Sequence, residues 1–102
     1  MQNFRTFQLA KELHWEIKKL KLRGELRDQL ERASLSVAAN LAEGSGKSGS
    51  KERRRFFRIA MGSLRESQAL LEIAEQESLR PLADRLGASL YRLLQRPGEG
   101  MK

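Results

Sequence analysis

The stretch from Ser34 to Ser63, SLSVAANLAEGSGKSGSKERRRFFRIAMGS, decides how the chain is read. It holds the end of one helical pattern, a glycine-rich turn and the start of a strongly cationic second pattern. Gly44, Gly46 and Gly49 punctuate the turn and permit backbone angles that other residues resist. Between Lys47 and Arg65 stand seven Lys/Arg (47, 51, 53, 54, 55, 58 and 65) against one acid, Glu52, so this segment carries +6 in a chain whose total is +7. Gly46-Lys47-Ser48 has the ending of a phosphate-binding P-loop. That motif needs a glycine where Leu41 stands and a strand where a helical pattern stands, so nucleotide hydrolysis is excluded.

On the N-terminal side of the turn, Leu26, Leu30, Ala33, Val37 and Leu41 recur at helical spacing and predict a helix over 25–43. Its reverse face carries Leu35, Ala38, Ala39 and Ala42, small and apolar enough to admit another helix, possibly of another subunit. On the other side, Phe56, Phe57, Ala60, Ser63, Leu64, Ser67, Leu71 and Ala74 give the buried face of a helix over 50–77. Ile59, Leu70 and Ile73 widen its apolar sector to about half the circumference. Lys51, Arg54, Arg55, Arg58 and Arg65 fall opposite, in a stripe that Lys47 and the helix N-terminus extend. Such a row suits phosphate groups. Glu52 offers the only acid for local pairing within it. Asn40 and Glu43 read as architecture, tying the end of the preceding helix to the turn or to a basic residue such as Arg53. Gly44 and Gly46 complete that structural turn.

Farther out, Leu9, Ala10, Leu13, Ile17 and Leu20 share one face of a first helix over 4–22, which Gly24 ends in a left-handed conformation. Phe4, Trp15 and Leu22 land on the reverse face beside Lys11, Lys18 and Lys19. With Leu35 they offer either a subunit contact or an aromatic platform for bases between phosphate-binding lysines. His14 lies at the edge of the core stripe and is read as a packing residue. Pro81 opens a last helix over 80–95 with Leu82, Ala83, Leu86, Leu90, Leu93 and Leu94 inward. Short connections give an all-α, up-down-up-down antiparallel four-helix bundle in one domain, 1–96, followed by a flexible tail, 97–102.

With 102 residues and no cysteine, disulfides, thiolate metal sites and thiol nucleophiles are excluded. One histidine and scattered carboxylates, Glu72 and Glu75 among them, supply no catalytic constellation or metal-ligand set, so neither enzyme nor cofactor is expected. The N-terminus lacks the apolar run of a signal peptide or membrane span, which fits a cytoplasmic protein. A pI near 10.4 points to a polyanionic partner, above all nucleic acid.

Asn40-Leu41-Ala42-Glu43-Gly44-Ser45-Gly46, Lys51-Glu52, Phe56 and Ile59-Ala60-Met61-Gly62-Ser63-Leu64-Arg65-Glu66 together resemble the signature of the 23S rRNA intervening-sequence proteins, a bacterial four-helix-bundle family. The likeness is dense over 34–75 and loose elsewhere. Gly49 departs from it, since the family more often places Ser or Thr at that cap. The family is similar in fold to the accessory variability determinant of diversity-generating retroelements, a basic homopentameric ring that associates with a reverse transcriptase and nucleic acid. The resemblance therefore implies a homopentamer, which would cover the extra apolar faces, and it brings no catalytic residues. Two functions follow as expectations: electrostatic binding of RNA through the stripe, or docking of an acidic protein such as a reverse transcriptase.

Overall fold

The four apolar stripes become four α-helices in the computed structural model, which describes residues 2–95. They are α1 (Gln2–Lys18), α2 (Gly24–Ser45), α3 (Ser50–Ile73) and α4 (Arg80–Gln95), with a 3-10 turn at Glu77–Leu79 ahead of α4. No strand occurs among the described residues. The tail expected over 97–102 lies outside them. Helix α1 packs on α2 and α4, and α3 packs on the same two, which sets α1 and α3 at opposite corners around a shared core.

That core is built from the residues the periodicity singles out. Leu13, Leu30, Val37, Leu41, Leu64, Leu86 and Leu90 are all fully buried. Burying each such side chain is worth about 1.5–3 kcal/mol. Surface ion pairs such as Arg27–Glu31 at 3.1 Å contribute at most about 1 kcal/mol each. Apolar packing therefore outweighs charge pairing in holding this fold. Leu20, Leu26, Phe56, Ser63, Ala74 and Leu94 reach only half-burial at the margins. Ala38, expected on the reverse face of α2, is buried instead.

A seam of hydroxyl groups runs through the helix contacts. Thr6 and Ser89 share a buried hydrogen bond between α1 and α4. Ser36 and Ser63 meet at 2.8 Å between α2 and α3, and the buried Ser67 donates to the Ser63 carbonyl at 2.9 Å. Between α1 and α2, His14 Nδ1 lies 2.8 Å from Ser34 Oγ, which itself donates to the Glu31 carbonyl at 3.3 Å. The direction of the His14–Ser34 bond follows the imidazole tautomer. Burial, reinforced by the Lys18 charge and opposed by Glu31, holds the imidazole pKa below its ordinary value. Every buried side-chain nitrogen and oxygen among the described residues has a partner.

The helix ends differ from the periodicity. Helix α1 stops at Lys18 rather than at residue 22. Lys19 and Leu20 bond back only three residues, to Glu16 and Ile17 at 3.2 and 3.0 Å. Leu20 and Leu22 then both pack against the core, a two-residue spacing that an extended connection satisfies and a helix does not. Leu22 is thus not on the outer face. Gly24 does have a left-handed φ of 66°, but it opens α2 instead of closing α1. Helix α3 ends at Ile73, four residues before the expected boundary. Gln76 N–H bonds to the Leu71 carbonyl at 2.9 Å and Glu75 N–H to that of Glu72 at 3.0 Å. This is a Schellman closure. Its left-handed position, normally glycine, is Glu75 at φ 58°, which no composition signal announces.

Candidate nucleic-acid interface

The connection between α2 and α3 positions the cationic segment, and it does so without left-handed glycines. Gly46 has φ −86° and Gly49 φ −91°. Among the described residues only Gly24 and Glu75 have positive φ. Gly44 is not in a turn but is buried in the last turns of α2. A Cβ there would lie 2.8 and 3.0 Å from the Phe57 ring and 3.1 Å from the Arg53 carbonyl. The glycine is required because α2 and α3 approach closely. Asn40 donates back to the Ser36 carbonyl and hydroxyl at 2.9 and 3.1 Å. Glu43 pairs with Lys47 at 3.3 Å. Arg53 donates to the Lys47 carbonyl at 2.9 Å. The expected tie between helix end and turn is therefore made by Glu43 and Arg53, each to Lys47, while Asn40 stays within α2.

The six cations of the predicted binding set separate into three kinds. Arg54 is half-buried and donates to the Leu94 carbonyl at 3.0 Å, satisfying one of the last acceptors of α4. It fastens α3 to α4. Lys47 and Arg55 flank the half-buried Phe56 ring, with Nζ 5.4 Å and Cζ 4.8 Å from its centroid. Arg55 also binds Glu52 at 3.0 Å. That hydrogen bond, with the charges of Arg55, Lys47 and Lys51, holds the Glu52 carboxyl below its ordinary pKa. The segment's one acid is thus already engaged. Lys51, Arg58 and Arg65 are the third kind: exposed, on one face of α3, and in no ion pair among the described residues. They span about 20 Å along the helix axis.

The second predicted face lies elsewhere. On α1, Lys11 Nζ sits 5.2 Å from the Phe7 ring centroid and 5.5 Å from that of Trp15. Phe4 and Trp15 remain 61% and 57% exposed, and Leu35 on α2 is 53% exposed. Lys18 is exposed, and Lys19 pairs with Glu16 at 3.1 Å. Because α1 stands at the corner opposite α3, this aromatic face and the cationic row are separate surfaces. A further exposed aromatic group, which the charge pattern does not single out, is Tyr91, 56% exposed on α4. Its position on the polar side of the α4 wheel, away from the leucine stripe, is the signal that could have found it.

No grouping of three or more His, Cys, Asp or Glu suited to a metal ion occurs among the described residues. No helix among them is long and apolar enough to cross a membrane. A comparison with protein families matches residues 2–94 to the family described as 23S rRNA-intervening sequence protein. No curated protein matches the chain.

Proposed function

We propose, from the premise that the chain belongs to the 23S rRNA-intervening sequence protein family, that it is a non-enzymatic protein that binds RNA through phosphate contacts. The observation that carries this reading is the row of Lys51, Arg58 and Arg65, exposed and without anionic partners among the described residues. A solvated basic face normally interleaves acids. Here Glu52 is held by Arg55, so the row has a field to offer a polyanion. Filter binding of 23S rRNA fragments across a salt series tests it. Three to four engaged cations give a log–log slope of about −2 to −3. Absent binding, or retention indifferent to salt, would sink the proposal.

The same reading includes helices of alternating direction and self-association into a homopentameric ring. Asn3 lies 3.4 Å from Ser45 while His14 meets Ser34, so rising numbers on α1 face falling numbers on α2, which supports the alternation. Phe4, Trp15 and Leu35 support the self-association, since water contact at these apolar groups is what a subunit interface removes. Light scattering in dilute buffer is expected to give a mass of several chains. A single-chain mass of 11.7 kDa would remove the ring.

A further inference from the structure

Gly62 lies on the exposed face of α3, and a Cβ added there would meet nothing within 4 Å. A glycine inside an exposed helix costs about 1 kcal/mol relative to alanine. Neither backbone angle nor packing within the chain accounts for it. Its neighbours on the helix surface are Ile59 and Glu66, the latter turned toward Gln29, Arg32 and Ser36 of α2. On the other flank are Arg58 and Arg65, four residues before it and three after, about 10 Å apart along the axis. The missing side chain leaves the helix backbone open between two cations.

The packing of α3 on α4 sets a tyrosine alongside. Arg54 reaches the Leu94 carbonyl, a Cβ on Gly87 would lie 3.6 Å from Leu64, and Gln68 Nε2 is 3.4 Å from Asp84. Each advance along α3 is matched by a retreat along α4. Between the first two contacts, Tyr91 falls level with Arg58. It is exposed on the outer flank of α4. The other aromatic groups are differently placed. Phe56 is half-buried under Lys47 and Arg55, and Phe4 and Trp15 belong to the opposite corner.

We infer that the α3/α4 face takes an unpaired RNA strand, with one base stacked on Tyr91, phosphates held by Arg58 and Arg65, and the strand lying close over Gly62. The inference rests on the reading of the row as an RNA-binding track. A duplex keeps its bases stacked on one another and gives an exposed ring nothing to hold, whereas a single strand offers every base face. An exposed ring beside two cations is the arrangement that rewards the latter.

The test uses one RNA sequence in single-stranded and duplex form, with the full chain and its Tyr91→Ala, Tyr91→Phe and Gly62→Ala variants. Stacking of one base gives an expected loss of roughly 5- to 150-fold for Tyr91→Ala on the single strand. Duplex binding is expected to stay within about twofold, and Tyr91→Phe to match wild type. Gly62→Ala is expected to weaken single-strand binding while its thermal midpoint rises. Wild-type affinity of Tyr91→Ala for the single strand, or equal wild-type affinity for both forms, overturns the inference. If that happens while Arg58→Glu/Arg65→Glu loses binding, only the stacking site falls. If the double reversal also binds normally, the RNA-binding track falls with it.

Discussion

Gly44→Ala is expected to unfold the protein at a markedly lower temperature, even though alanine is the better helix former. The substitution sits inside α2, where alanine alone would gain about 1 kcal/mol. Against that stands a methyl group at 2.8 Å from Cε1 of Phe57 and 3.1 Å from the Arg53 carbonyl. Neither neighbour is a flexible tip: the ring is 3% exposed and the carbonyl belongs to α3. Overpacking of this kind costs about 1–3 kcal/mol and sometimes more. The helices must move apart, and the loss outweighs the propensity gain. The thermal midpoint is expected to fall by up to about 15 °C for a domain of this size. Gly44→Ala/Phe57→Leu, which removes the clashing ring edge, is expected to cost less than the sum of the two single changes. Strict additivity in that cycle would show that the close approach is not what the glycine serves.

Arg58→Glu/Arg65→Glu is expected to lower RNA affinity by one to two orders of magnitude at low salt and to flatten the salt dependence. The double change removes two cations from the row and adds two anions to it. Each phosphate contact contributes about 0.7–0.9 to the log–log slope, so the slope should shrink by about 1.5 or more. Both side chains are exposed, and their replacement should leave the thermal midpoint nearly unchanged. Arg54 is the instructive contrast. It lies in the same cationic run, yet its guanidinium holds the Leu94 carbonyl at 3.0 Å. Arg54→Gln should therefore act first on stability and much less on the salt slope. Equal loss of binding in the two variants, with unchanged melting in both, would refute the division between them.

The contrast between Arg54 and Arg58 shows where a sequence can be read and where it cannot. The four helices and nearly all their buried leucines follow from spacing, because burial of one stripe per helix is a local, periodic requirement. The same projection places Arg54 and Arg58 on one face. What separates them is the end of α4, forty residues along the chain, and no periodicity within α3 encodes it. Gly44 is a similar case. Its glycine is visible in the sequence, but the reason for it is Phe57 across a helix contact rather than a turn angle. The helix ends escaped for another reason. Glu75 takes a left-handed conformation usually marked by glycine, and Leu20 and Leu22 continue an apolar pattern after the helix has stopped. Tyr91 was legible as an exposed position but gained meaning only once α4 was set beside α3.

The hydroxyl seam has a consequence for how the surface is aligned. Apolar packing resists a longitudinal shift through shape, as Gly44 against Phe57 shows, but a slipped helix still sets hydrocarbon against hydrocarbon. Thr6 with Ser89, His14 with Ser34 and Ser36 with Ser63 have no such substitute. A slip of one turn, about 5.4 Å, would part each couple and leave polar atoms facing hydrocarbon. Each stranded group costs about 1–3 kcal/mol, a sizeable share of the 5–15 kcal/mol that such a domain commands. The couples lie on three of the four helix contacts and so act as index marks along the bundle. They fix the vernier between helices, and with it the offset at which residues from different helices stand beside one another on the outside.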